Sequence, residues 1–469
     1  MLLFRSALLI GAAVATLQAP SEDICSLCEC KANLLDCSKK TISKLPSFGN
    51  ETDAIAVTFA HCSFNNVRQL PKLAVRNLSF AFNDIVKLDD AAFMNLASLQ
   101  SLDLSFNLLT ADSLLPNVFR GRFAPDQYEP LRSLKELNLA HNQLHTLHPD
   151  AFVHLVNLEV LKLNGNPIKI ITFGVITAIS SLPFLKELDL SRTSIKAIPE
   201  NLFHSPKYLE VLDLSFNSFT KPPVELETTH RLGQLSLNGN PIKRIRTFIN
   251  LPYLKILHLS NMPELVSIEE RSLSGMPFLE ELYCSNNQKL VKIAKTALSA
   301  VHSEEEGETW PLLNVLELNN NSLQSIDRHL VARWDHLKVI NLQNNPWMCD
   351  CENQWLVSTL TPIIEKTQPE MFTSFKCAKP VEMKNLQILE LSHRNYQMRC
   401  LDLYNHTPEK DVKLLMVVSM VAIILAPVLM AVAIYYKRQQ RARLRYNKLF
   451  SKASFLRYSQ LKLIPDERI

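Results

Sequence analysis

Eight of the ten cysteines fall into two groups: Cys25, Cys28, Cys30 and Cys37, then Cys349, Cys351, Cys377 and Cys400. Thiols grouped this way either hold a metal or pair with one another. The Cys25-x2-Cys28 spacing would suit zinc. In an oxidising compartment the same groups become disulfides, with three pairings open in each group. Cys62 and Cys284 stand apart and read as buried free thiols. His141, His145, His148 and His154 are the other candidate metal ligands, but their spacing does not bring four rings to one point. There is no G-x-S-x-G, H-E-x-x-H or EF-hand loop. With only 9 glycines, phosphate-cradling loops are not expected either. The reading is of no enzyme, no metal and no cofactor.

What positions these groups depends first on topology. Residues 1–19 carry one charge, Arg5, then an apolar run from Leu8 to Ala15 and a small-residue cleavage site at Ala13-Val14-Ala15. They read as a secretory signal peptide, which makes disulfides the expected state of the cysteines. Residues 414–436 contain no charge and are long enough to cross about 30 Å of hydrocarbon as a helix. Tyr435 and Tyr436 sit at the expected interface, and Lys437, Arg438, Arg441, Arg443 and Arg445 follow. Positive-inside logic puts this end in the cytosol. The expected protein is single-pass, type I, at the plasma membrane, with its ectodomain outside. The formal charge is +4, yet residues 437–469 alone hold ten Lys and Arg against two acids. The body is therefore mildly acidic, which argues against a nucleic-acid binder.

Between the cysteine groups the chain repeats. The template is L-x-x-L-x-L-x-x-N-x-L. Leu99-Leu102-Leu104-Asn107-Leu109 and Leu134-Leu137-Leu139-Asn142-Leu144 are clear copies, as are those ending at Ile168, Phe219, Ile242 and Leu323. Cys62, Asn83, Thr193, Met262, Asn287 and Asn345 mark degenerate copies. Twelve repeats result, most often 24 residues apart. In each, the leucines of L-x-L point inward and the flanking residues face solvent, so the strands stack as a parallel sheet lining a concave face. The asparagine follows, and its amide can satisfy backbone groups of adjacent coils. The fold class is an α/β repeat solenoid.

Expected concave-face residues are Asp103, Glu136, Glu187, Asp189, Asp213, His258, Glu281, Tyr283 and Glu317, against a single Lys162. They predict an acidic ribbon able to steer a basic protein. Phe106 and Phe216 fall at its edge. Two long spacings, near 111–132 and 299–311, predict loop insertions. Four N-x-S/T sequons, at Asn50, Asn77, Asn320 and Asn405, are expected glycosylation sites. A glycan on Asn77 would crowd the early concave face and leave the middle repeats for binding.

The L-x-x-L-x-L-x-x-N run, the flanking cysteines and Asn345-Pro346-Trp347-Met348-Cys349-Asp350-Cys351 together resemble the extracellular leucine-rich-repeat family. The similarity is to members with cysteine-rich N- and C-terminal caps and a single type I span, of the trophoblast-glycoprotein or capricious and connectin kind. The resemblance implies pairs Cys25–Cys30, Cys28–Cys37, Cys349–Cys377 and Cys351–Cys400. It also implies protein binding through the ectodomain, in adhesion or cell–cell recognition; the alternative is a co-receptor or modulator that captures a secreted ligand or receptor. A 33-residue tail departs from Toll-like receptors, and the 13 residues between Cys400 and Leu414 leave no room for an immunoglobulin domain.

The expected organisation is a signal peptide at 1–19, an N-terminal cap at 24–52, repeats at 53–345, a C-terminal cap at 346–401, a stalk at 402–413, the span at 414–436 and a basic tail at 437–469. In that tail Tyr446-x-x-Leu449 and Tyr458-x-x-Leu461 match Y-x-x-Φ, a pattern that an endocytic adaptor reads as an extended peptide. Its basic residues should attract anionic lipid. The terminal Ile469 with Glu467 faintly fits a PDZ domain.

Overall fold

Each repeat puts three residues in extended conformation with the middle one buried, as in Glu136–Asn138, Val160–Lys162 and Glu187–Asp189. Leu134, Leu137 and Leu139 are each fully buried, and the same triplet is buried in repeat after repeat. Burying one such side chain contributes roughly 1.5–3 kcal/mol. No single coil can hide its three leucines alone, so neighbouring coils must stack.

The structure, a computed structural model, describes residues 24–45, 55–124, 127–301, 307–331, 336–400 and 408–460. The signal peptide, Asn50, Asn405, Glu304 to Glu306, Leu461, Glu467 and Ile469 lie outside them. Two units are distinguished, Met1–Tyr396 and Gln397–Ile469.

In the first unit the main sheet has fourteen strands among the described residues. Its first pair, Glu29–Lys31 and Leu34–Asp36, is antiparallel. From there every step is parallel and in register, Leu35↔Val57 through Leu316↔Ile340. The last twelve strands are those of the twelve repeats. The fold is a leucine-rich-repeat solenoid.

The asparagines hold adjacent coils together from inside. Asn217 Nδ2 donates to the carbonyls of Leu190 (2.8 Å) and Leu214 (3.0 Å). Its Oδ1 accepts from the backbone N–H of Thr193 (3.1 Å) and of Ile195 (3.0 Å). Asn107, Asn142, Asn166, Asn240, Asn321 and Asn345 repeat the pattern. These bonds satisfy turn backbone that would otherwise be buried unpaired. At two of the three positions without asparagine, smaller groups substitute. Thr193 Oγ1 donates to Leu190 (2.7 Å), and Cys62 Sγ donates to the Cys37 carbonyl (3.2 Å).

The ends are closed covalently. Cys25–Cys30, Cys28–Cys37 and Cys349–Cys377 are bonded as the family resemblance implies, and Cys351 and Cys400 are each disulfide-bonded too. In the C-terminal cap the buried Trp347 donates its indole N–H to Leu342, and Trp355 donates to Ile326 (both 3.0 Å).

The insertions are more regular than loops. The first forms two 3-10 turns, Ala111–Ser113 and Pro116–Phe119, then an antiparallel ribbon pairing Arg122–Ala124 with Gln127–Glu129. In the second, Ala300–Val301 pairs with Glu308–Thr309.

Among the described residues the second unit contains one helix, Pro408–Gln460, which continues through Pro427. It is long and apolar enough to cross a membrane. The helix does not stop at the end of the apolar run. Tyr446 and Leu449 are helical and Tyr446 packs on Phe450, so the motif is not in the extended form an adaptor reads. Tyr458 is helical as well. No glycine or proline interrupts the chain from 428 to 460, so nothing local ends the helix where the apolar run stops.

Candidate functional site

The concave face is built from two outward columns, the first and third residues of each strand. The first column reads Glu136, Val160, Glu187, Val211, Gln234, Ile256, Glu281 and Val315, in register across eight consecutive strands. Acids or an amide thus alternate with aliphatic side chains, each half-buried by its neighbours. Along this column the acids do not run continuously, because every carboxylate in it is flanked by an apolar residue.

The third-position column does a structural job that the sequence reading missed. Asp103, Asp189 and Asp213 each accept the backbone N–H two residues on, from Ser105 (2.9 Å), Ser191 and Ser215 (both 2.8 Å). Asn138 and Asn341 do the same. These side chains cap the turn that leaves the strand, which is the local preference of Asp and Asn. The signal was present as Asp, Asn or Ser recurring at one register position.

The remaining charge is partly neutralised. Lys162 Nζ lies 2.8 Å from Glu136 Oε1, and this contact holds the Glu136 carboxyl below its ordinary range. Asp189 is shifted the other way, since burial, with Asp213 beside it, outweighs its turn hydrogen bond. Beside the face, Glu159 bridges Lys135 (2.8 Å) and Lys186 (2.7 Å).

Three expected contact residues do come together. His258 and Tyr283 stack at 4.6 Å, 13° from parallel. Tyr283 donates its hydroxyl to Glu281 Oε2 (2.8 Å). Burial and this carboxylate push the Tyr283 phenol up to about 12, and burial lowers the His258 imidazole. The result is a fixed aromatic shelf beside a carboxylate acceptor. Glu317 occupies the next position in register with Tyr283.

A second ladder runs along the turns that follow the strands. The residue before each asparagine position has positive φ: His61, Phe82, Phe106, His141, Gly165, Arg192, Phe216, Gly239, and then Asn261, Asn286, Asn320 and Asn344. The first four stack face to face, with centroids 4.4, 4.1 and 4.2 Å apart. Arg192 lies 4.1 Å above the Phe216 ring. At the far end the amides chain, Asn344 donating to Asn320 and Asn320 to Asn286 (both 2.8 Å). Phe106, Phe216 and His141 were legible only as isolated edge residues. Aligning the repeats one position before the asparagine would have shown the series.

The other expected sites are scattered. Asn77 is exposed at the start of its strand, whereas Asn320 sits inside the amide ladder. His145 bonds the Gln143 carbonyl, His148 accepts from Asp150 N–H, and His154 is half-buried, its pKa lowered by burial and by Arg120. Among the described residues no group of three or more His, Cys, Asp or Glu is placed to hold a metal. Cys62 and Cys284 are buried and free, and burial pushes the Cys284 thiol up to about 12.

A protein with this fold and these capped ends is a leucine-rich-repeat protein with a disulfide-closed N-terminal cap. The leucine-rich-repeat family model matches residues 123–168 and 183–242. The chain is 27% identical over 250 residues to podocan-like protein 1 of Mus musculus, covering 52% of this chain and 42% of that protein. It is 30% identical over 185 residues to keratocan of Coturnix japonica, covering 39% and 47%. The chain thus spans less than half the length of these relatives. The fold is shared with a chain of the mouse RP105/MD-1 complex at a TM-score of 0.52 and 21% identity, covering 76% of this chain and 53% of that one.

Proposed function

We propose that this chain is a non-catalytic, membrane-anchored plasma-membrane protein that binds a protein partner on its concave face, in adhesion or cell–cell recognition. The observation that carries this reading is the first strand column, where carboxylates or an amide alternate with aliphatic side chains over eight strands. Such a face can bury apolar surface while each acid selects a basic or hydrogen-bonding group. The His258–Tyr283 shelf adds the rigid aromatic area that dominates interfaces. An exposed Asn77 glycan would leave the middle strands as the binding region. The apolar helix supplies the anchor, and its basic end suits an anionic leaflet.

The second reading is a co-receptor or modulator that captures a secreted ligand and controls it by trafficking. Tyr446 and Leu449 favour it, provided that the helix carrying them unwinds for an adaptor. The distinguishing experiment mixes cells displaying the full chain with labelled cells that display it or lack it. Aggregation is expected if the role is adhesion. Absence of aggregation with confirmed display would overturn adhesion. The modulator reading would then require slower internalisation of a Tyr446→Ala chain.

A further inference from the structure

A row of exposed rings runs along the leading edge of the sheet, three residues before each strand. In the strands beginning at Glu187, Val211, Gln234, Ile256, Glu281 and Val315 that position holds Phe184, Tyr208, Arg231, Tyr253, Phe278 and Leu312. Phe184, Tyr208, Tyr253, Phe278 and Leu312 are 47%, 40%, 60%, 61% and 47% exposed. Phe184 stacks on Tyr208 at 5.9 Å, and the Arg231 guanidinium lies 4.9 Å over Tyr208.

The same position is polar in the three repeats just before these, at Ser98, Ser133 and Asn157. There Ser133 donates to the Ala97 carbonyl (2.8 Å) and Asn157 to the Arg132 carbonyl (2.9 Å). The solenoid is therefore built equally well with a small polar residue here. Six successive large side chains, five of them apolar or aromatic, form one exposed patch of the size that on a monomer is often a contact surface.

We propose that this row is a two-fold interface between two copies of the chain. The row is self-complementary when reversed. Phe184 faces Leu312 of the second copy, Tyr208 faces Phe278, and Arg231 faces Tyr253, with the axis between the last two. The one cation then meets an aromatic ring on both sides of the axis instead of another cation. The residues just ahead of the row are Pro183, Lys207, His230, Pro252, Pro277 and Pro311, and the same operation sets no two charges of like sign opposite each other. At strand spacing the row is about 24 Å long. Its exposed side chains offer roughly 500 Å² for burial. That is more than half of the ~800 Å² each partner gives to a stable interface. A two-fold contact uses one patch twice, as an isologous dimer requires. This inference is independent of the concave-face reading and does not stand or fall with it.

The test uses the full chain in two tagged forms, co-expressed and extracted together in detergent. Mutual capture is expected. Arg231→Cys in one form and Tyr253→Cys in the other should cross-link at least tenfold more than the control pair Asn157→Cys with Arg231→Cys. The buried Cys62 and Cys284 leave the assay clean. Tyr253→Ser with Phe278→Ser should cut capture at least tenfold at unchanged surface display, since serine already serves this position at Ser98 and Ser133. No capture of the wild-type chain, or cross-linking no better than the control, would overturn the proposal. Capture of the serine variant at the wild-type level would do the same by assigning association to another surface.

Discussion

The imidazole of His141 lies across Gly165, so that a methyl group at Gly165 would sit 2.5 Å from Nδ1 of His141. Gly165 also has φ +71°, a conformation that costs an L-residue roughly 1–2 kcal/mol. The ring ladder from His61 to His141 thus ends with an imidazole lying over a residue that has no side chain. Gly239 repeats the relation under Phe216. Gly165→Ala is expected to lower stability by about 2 kcal/mol by denaturant titration. Adding His141→Ala should recover the steric share and leave the backbone share. A strictly additive double-mutant cycle would show that the ring contact has no energetic weight.

Asn217 serves two coils at once through buried bonds. Asn217→Ala leaves several backbone groups unpaired, and we expect a loss of about 2–4 kcal/mol. The amide ladder at Asn320 lies at the surface, so Asn320→Ala should cost under ~1 kcal/mol. Equal losses at the two sites would contradict the division into an inner and an outer ladder.

His258 carries a pH prediction. Burial lowers its folded pKa below the unfolded value of about 6.5. The unfolded chain therefore binds more protons as pH falls below about 6.5, and stability drops toward the folded pKa. Comparing denaturant midpoints at pH 7.5 and 5.5, the wild-type chain should lose more than His258→Phe, which keeps the stack on Tyr283. Identical pH dependence would mean that His258 protonates freely in the fold.

Thiol labelling provides the fourth check. Cys284 is fully buried with its pKa pushed up to about 12, and burial also raises the Cys62 thiol. The thiolate is the reactive form, so neither should react with a maleimide at pH 7 in the native chain. Two thiols should react after unfolding without reductant, since the other eight cysteines are disulfide-bonded. Rapid native labelling of one would reveal an open coil at that repeat.

Much of this architecture is legible because a leucine-rich coil is a local rule applied repeatedly. Leu102, Leu104 and Asn107 announce their strand and turn within six residues, and the next repeat can only stack. That is why each strand fell where the L-x-L spacing puts it. The concave acids were harder to read. Asp103 and Glu136 look alike in sequence, yet one caps a turn and the other meets a lysine from the next coil. Distinguishing them needs the position within the strand and the neighbour in register. The insertion at 111–132 gave no periodic signal, so its paired strands were invisible.

Sequence by itself determined the repeat number, the buried leucines, the asparagine turns and the apolar segment, because each depends on spacing along a single chain. Tertiary structure decided which side chains meet across coils. His141 reaches Gly165 over 24 residues of chain, and Arg231 reaches Tyr208 over 23. The physical reason is the stacking itself: it brings equivalent positions of successive repeats to about 4.8 Å, and at that distance rings, amides and charges act on each other.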